Sequence, residues 1–355
     1  MRFSISLLTA LTSLLLGCTA TILIRPPHGV IATLPVPISN AAIARVGDTA
    51  YVFAGLHAGK TWRDVTADAY ACDLAGGVCR AIAPLPDGEG RLAANAVTLG
   101  EKIYIFGGYR VAKDGTEKST PEVWVFDPKD ETYTRAPDMP VPVDDAVVLG
   151  FVDRYAVLIS GWHDTDNVAD VQVLDTRENR WFAINAYPGA PVFGHAGAIS
   201  GDHLLICGGV KVVPPVPPQK RRHFVLSESC WAGRISENAQ NIIWTKAGDT
   251  APGAAYRRAA VALSDGDFLF YGGALNPYNY DGIGYDGEPS MPLARMDVAR
   301  FDADGNLHWW QDNAPSGMDY RGGILWHGAL ITIGGMDETQ TVMDAVYAMP
   351  LPPRQ

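Results

Sequence analysis

The chain has 355 residues, a formal charge of −11 and a pI near 5.1. An acidic balance with no basic block excludes a nucleic-acid surface, which would show a positive stripe. The 37 glycines, 25 prolines and 10% aromatic residues favour short strands and tight turns over long helices.

The first element is a leader. Met1-Arg2 precedes the apolar run "FSISLLTALTSLLLG", so residues 1–17 read as a secretory signal too short to serve as a membrane span. The run ends in "LLGC", which resembles a bacterial lipobox and makes Cys18 the lipidated first residue of the mature chain. Ordinary signal cleavage a few residues later is the alternative. On the lipobox reading, a short linker at 18–28 leads into a single domain at 29–355. The protein then belongs to the bacterial cell envelope, periplasmic or held to the outer membrane through Cys18.

An exported address gives the other cysteines meaning. Cys72 and Cys79 bracket the hairpin-like "DLAGGV", and Cys207 and Cys230 form the second expected pair. The alternative is four buried thiols, since a free cysteine behaves as a small hydrophobe.

One phrase then recurs along the chain: "AYVFAGL", "IYIFGGY", "AVLISGW", "LLICGGV", "FLFYGGA" and "LITIGGM". The doublets begin at Ala54, Gly107, Ser160, Gly208, Gly272 and Gly334, a period near fifty residues. That period suits four-stranded propeller blades of the kelch type. Upstream of each doublet lies a small-residue run such as "AAIARV" or "GHAGAI", and downstream an alternating strand such as "EVWVFD" or "DVQVLD". Small residues belong in the first strand because the first strands converge on the central channel. The recurrent Trp181, Trp244 and Trp309 read as packing between blades. The last copy stops after its third strand, "DAVYAM", and "GVIATLPVP" near the N-terminus supplies the fourth. A strand borrowed from the other terminus closes the ring and removes the open edge. The predicted fold is all-β, a six-bladed propeller.

Antiparallel neighbours put the start of strand one and the end of strand two at the same face. Arg91, Asp145, His195, Arg258 and Arg321 fall just before or at the start of the first strands, and Trp162 falls just after a doublet. Arginines from several blades at one mouth suit bidentate recognition of a carboxylate, while structural arginines are the alternative. Two long loops follow doublets. One, "VKVVPPVPPQKRRHF", is tipped with Lys220, Arg221 and Arg222; the other, "LNPYNYDGIGYDGEPSMPL", carries Tyr285 and Glu288. Aromatic faces beside hydroxyl and carboxylate groups suit a sugar. No zinc spacing, calcium loop or nucleophile elbow is recognisable, so no metal is expected.

The six blades, "LPVP", "IYIFGGY…GTEKSTPEVWVFDPKDETY" and "YDGE" together resemble the bacterial kelch-type N-acetylneuraminate epimerases, exported sialic acid mutarotases. The resemblance covers most of the mature chain. It implies interconversion of the anomers of a small acidic sugar by acid/base ring opening, with no metal or organic cofactor. It places Tyr285 and Glu288 at matching positions, and the mechanism built on it and on the mouth residues gives sugar binding to Arg91, Arg258, Arg321, Tyr285, Trp162 and Arg222, and proton transfer to Glu288, His195 or Asp145. The family's acid/base glutamate follows the blade-four strand, where this chain has Gly209, and Arg221 or Arg222 would supply the arginine after it. The competing expectation is a non-catalytic envelope propeller that binds a glycan or a protein partner.

Overall fold

The structure, a computed structural model, describes residues 27–353 apart from Asp87, Gln219, 249–251, 264–265 and Ala303. The expected leader, Cys18 and most of the linker lie outside the described residues. Within them the chain forms six four-stranded antiparallel sheets and three two-stranded hairpins. The first blade runs Ala42–Val46, Thr49–Leu56, Val65–Asp73 and Val78–Ile82. The sixth is Ile324–Trp326, Ala329–Ile333 and Ala345–Pro350, completed by Gly29–Thr33 from the N-terminus. Gly29 pairs with Ala348 and Thr33 with Ala345, so both ends of the chain share one sheet and the ring is closed.

Alternation along each strand sends apolar side chains to both sheet faces, where each blade meets its neighbours. The buried clusters follow that logic. Phe53 and Ile105 sit in a cluster between blades one and two, Leu158 and Phe106 between two and three, and Ala348 and Val52 between six and one. Burying one large apolar side chain of this kind stabilises by roughly 1.5–3 kcal/mol. The repeated tryptophans lie in these seams. Trp181 meets Phe106 edge-on at 6.1 Å, Trp244 meets Tyr187 at 5.7 Å, and Trp309 lies 5.9 Å from Phe270.

A cross-strand disulfide joins Cys72 to Cys79 within blade one, and another joins Cys207 to Cys230 within blade four.

Loop-face geometry repeats in every blade. An isolated bridge links the residue before strand one to the residue after the doublet: Ser39 to Leu56, Leu92 to Tyr109, Asp144 to Trp162, Phe193 to Val210, Tyr256 to Ala274, and Met318 to Met336. The next residue in each blade takes a left-handed backbone, with φ of 57° at Asn40, 54° at Ala93, 50° at Asp145, 62° at Gly194, 53° at Arg257 and 69° at Asp319. All but Gly194 carry a side chain in a conformation that disfavours one. These six positions ring the axis.

Candidate functional site

Polar residues on this ring close the loop end of the channel. The Arg257 guanidinium, from blade five, donates to Asp145 Oδ2 at 2.7 Å in blade three and to Asp319 Oδ1 at 3.1 Å in blade six. Arg321 reaches Asp145 Oδ1 at 2.8 Å and donates to Asn40 Oδ1 at 2.8 Å. Asn40 in turn donates to Asp319 at 3.2 Å. Blades three and six face each other across the axis, so these side chains span it. The ring separates two cavities, and Asp145 lines both.

The first cavity, about 360 Å³, is the axial channel, walled by strand-one residues such as Ala44, Ala96, Gly197 and Gly323. The second, about 110 Å³, lies on the loop face. Tyr109 and Glu117 enter it from the blade-two hairpin (Tyr109–Val111 with Glu117–Ser119). Arg222 and Phe224 come from the blade-four arm, whose strands are Val210–Val213 and His223–Leu226, and Tyr280 and Tyr285 from the blade-five loop. Asp144, Asp145 and Arg257 form the base, with Trp162 and Phe193 beside them.

The blade-five loop is strapped across the top. Lys60 Nζ donates to the carbonyls of Asp281 at 2.9 Å and Gln340 at 2.8 Å, and Gln340 donates to Ser290 O at 2.9 Å. Beneath the strap, the buried rings of Tyr256 and Tyr278 lie 4.7 and 5.3 Å from the Arg257 guanidinium carbon. Tyr285 stacks on Phe224 with centroids 4.2 Å apart, which joins the loop to the arm. The result is an aromatic wall over a charged floor.

The floor carries two adjacent carboxyls with opposed titration. Burial raises Asp144 well above the usual carboxylate range, and the charge of Asp145 adds to it. A 2.6 Å hydrogen bond donated by Ser119 Oγ to Asp144 Oδ2 opposes the rise without reversing it. Burial would also raise Asp145, but Arg257 and Arg321 overcome it and hold that carboxyl below its usual range. The two neighbours are therefore driven apart, Asp144 towards the neutral acid and Asp145 towards the anion. Glu117 is exposed on the blade-two hairpin, and partial desolvation at the pocket rim raises it as well, against Arg257 and with Asp145.

The structure separates residues that sequence reasoning grouped together. Arg91 is 0% exposed and turns into its own blade, donating to Gly107 O at 3.0 Å and Thr120 Oγ1 at 3.3 Å. Arg258 pairs with the fully buried Asp297 at 2.7 Å and donates to Gly253 O and Phe270 O. Burial lowers both guanidinium groups to about 10, so both remain charged. Neither reaches the loop-side pocket; each balances the polar interior of one blade. Arg321 serves the axial ring. Of the expected sugar contacts, Trp162, Arg222 and Tyr285 line the pocket.

The three candidates for proton transfer are likewise dispersed. Asp145 is in the floor but held as an anion, and Glu288 is exposed on the blade-five loop, outside the pocket lining. His195 lines the axial channel and uses Nε2 on the Ile159 carbonyl at 2.8 Å. Burial lowers its pKa from 6.5 to about 4, with Ile159 O and Asp145 opposing the shift. An imidazole uncharged in the folded state contributes its full stability above about pH 6.5; the contribution is lost as pH falls towards about 4, because the unfolded chain takes up the proton first. The loss over that window is roughly 3 kcal/mol. His195→Gln is expected to flatten that part of the stability–pH curve, measured by urea unfolding at successive pH values.

Gly209 has a physical reason for carrying no side chain. Its φ is +81°, and a Cβ would lie 2.7 Å from His195 Cβ and 2.9 Å from the Phe193 carbonyl oxygen. Placing a carboxylate there by Gly209→Glu is expected to destabilise the fold by more than the roughly 1–2 kcal/mol of the left-handed backbone alone. The gain of a carboxylate is expected to bring no gain of activity; chemical denaturation and a sugar-anomer assay check the two parts.

Glu117, Phe193, Phe224 and Asn279 are the pocket residues that the sequence pattern did not single out. A signal existed for Glu117. "RVAKDGTEKS" has a hairpin turn, Asp114-Gly115, between two short alternating runs, which projects the blade-two hairpin over the face.

Comparison with known proteins bears on this site. Residues 26–209, more than half the chain, match the KLHDC2/KLHL20/DRC7 Kelch-repeats domain. Kelch-like protein 15 of Gallus gallus is 26% identical over 149 residues, covering 38% of this chain and 30% of that protein. The chain thus spans under a third of that relative's length. N-acetylneuraminate epimerase of Brucella suis is 26% identical over 346 residues, covering 77% of this chain and 84% of the epimerase. The solved structure titled "Structure of YjhT" superposes with a TM-score of 0.70 at 15% identity, covering 92% of this chain and 98% of that one, a likeness of fold. The repeats, the closed six-bladed ring and these matches together place the chain in the kelch-repeat family, as a relative of the bacterial N-acetylneuraminate epimerases.

Proposed function

We propose that the protein binds a small acidic sugar in the loop-side pocket and interconverts its anomers. The observation that carries this reading is the Asp144–Asp145 pair, two adjacent carboxyls pushed in opposite directions at the base of an aromatic-walled pocket. Asp144 donates its proton to the ring oxygen while Glu117 accepts the proton of the anomeric hydroxyl. The ring C–O bond breaks, the open keto form rotates, and reclosure returns both protons. Arg222 holds the sugar's carboxylate from the rim, its guanidinium fixed over the Trp162 and Phe224 rings at 5.0 and 5.3 Å. Trp162 and Tyr285 offer flat faces to the ring's C–H groups. The pocket is smaller than the ~300 Å³ of an enclosing ligand site, so the sugar enters by its reacting end.

The test is NMR of freshly dissolved α-anomer of N-acetylneuraminate, with and without protein. Faster equilibration with protein is the expected result. Unchanged equilibration at saturating sugar sinks the catalytic reading. Chemical-shift changes without turnover then favour the second reading, a non-catalytic propeller for a glycan or protein partner, which the filled space at Gly209 supports.

The same proposal places the protein in the bacterial envelope, anchored through Cys18. Two disulfides in one chain suit an oxidising compartment. Metabolic labelling with an alkynyl fatty acid should mark the full chain and not Cys18→Ser; equal labelling of both overturns the anchor.

A further inference from the structure

The blade-four arm segregates charge in a way that the pocket chemistry leaves unexplained. The protein carries 39 acidic against 28 basic residues, yet between Val210 and Leu226 it has Lys211, Lys220, Arg221 and Arg222 and no Asp or Glu. Strand pairing of Val210–Val213 with His223–Leu226 holds the two ends of this segment together as a hairpin. Pro214, Pro215, Pro217 and Pro218 stiffen what lies between. Lys220, Arg221 and Arg222 are all exposed.

This basic segment is continuous with the pocket. Arg222 lines the pocket, stacks on Trp162 and Phe224, and donates to the Thr165 carbonyl. Its immediate neighbours Arg221 and Lys220 carry the positive charge outward. Across the pocket the blade-five loop shows the opposite sign, with Asp286 and Glu288 exposed. An anionic chain leaving the pocket is therefore repelled from one side and attracted to the other. The small pocket of about 110 Å³ leaves most of any such chain outside. The strand pairing at the base of the arm limits the backbone entropy that the segment loses on binding.

We infer that the arm is an extended subsite for an acidic oligosaccharide, whose reducing-terminal residue sits in the pocket against Arg222 while the carboxylates of the following residues meet Lys220 and Arg221. This rests on the sugar-binding reading above and extends it from a monosaccharide to a chain. Aromatic faces and hydroxyl partners in the pocket favour a carbohydrate, and the cationic row favours one bearing a negative charge on successive residues.

The experiment compares calorimetric affinities for monomeric N-acetylneuraminate and its α2,8-linked tetramer, in wild type and in Lys220→Glu/Arg221→Glu. Wild type should prefer the tetramer by about tenfold, and salt should weaken the tetramer more than the monomer. In the double variant, both changes being at exposed positions, the melting temperature should hold and the tetramer's advantage should vanish. Equal affinity for both sugars in wild type, or an undiminished preference in the variant, overturns the inference. So does a variant that keeps the preference but loses binding to phosphatidylglycerol vesicles, which would turn the arm towards a membrane. Monosaccharide turnover without tetramer preference removes the subsite and leaves the proposed reaction standing. Arm-dependent tetramer binding without turnover does the reverse, and binding of neither sugar removes both.

Discussion

Arg257→Met is expected to destabilise the protein by about 3–5 kcal/mol, the largest effect of any single exposed-to-nothing charge in the ring. The guanidinium is 3% exposed and is bonded to Asp145 and Asp319, themselves 2% and 1% exposed. Methionine fills much of the volume, so the loss is mainly the cost of leaving carboxylates in low dielectric with fewer partners. Arg321 would remain beside Asp145 at 2.8 Å and Asp319 at 3.6 Å, one cation for two anions. The pH dependence carries the sign. In wild type the pKa of Asp145 is lowered, so its contribution is present above the unfolded carboxylate pKa and fades as pH falls. In the variant one carboxyl of the pair is raised instead; its contribution is present below the unfolded pKa and is lost as pH rises. The gap between variant and wild type should therefore narrow on acidification. Urea unfolding at about pH 7 and about pH 4 measures it; a constant gap would mean that packing, and not the ion pair, is what Arg257 supplies.

The fold was legible because propeller blades write the same packing problem six times. Each doublet sits where strand two ends on the loop face, and Gly208-Gly209 and Gly334-Gly335 share positive φ with Ala54-Gly55 and Ser160-Gly161. Even the borrowed strand could be read from what the last copy lacked. The site was less legible because it lies where the repeat breaks. Asn40, Ala93, Asp145, Gly194, Arg257 and Asp319 share one backbone position but no common residue type, so periodicity points to the position without telling which side chains cross the axis. Arg257 and Arg258 are adjacent and look alike in sequence. One extra residue along the chain turns the second towards Asp297 in its own blade, while the first crosses the axis. Glu288 fits a family-like motif, yet Tyr285 is the member of that motif that reaches the pocket. For Glu117 the Asp114-Gly115 turn signals the hairpin, but its place beside Asp145 and Arg257 is set only when the blade-two hairpin folds over the face.

Asp144→Asn should lower the rate of sugar-anomer interconversion by about 10²–10⁴-fold while leaving the fold in place. The amide has nearly the shape of the acid, and its oxygen can still accept the Ser119 hydroxyl that now reaches Asp144 Oδ2 at 2.6 Å. It cannot release a proton to the ring oxygen. Stability should change in the opposite direction to activity at alkaline pH. Because the folded pKa of Asp144 is raised, its contribution is present below the unfolded carboxylate pKa and is lost as pH rises through the folded value. Asparagine removes that loss, so the variant should gain on wild type as pH increases. Ser119→Ala separates the two roles. Without its donor the Asp144 carboxyl should titrate still higher, moving the alkaline limb of the activity profile upwards, and Ser119→Thr should restore it. A ¹³C-NMR titration of the aspartate carboxyls reads the same shift without any turnover. If Asp144→Asn kept full activity, proton transfer would have to pass to Glu117 alone, with Asp144 serving only to complete the pocket floor.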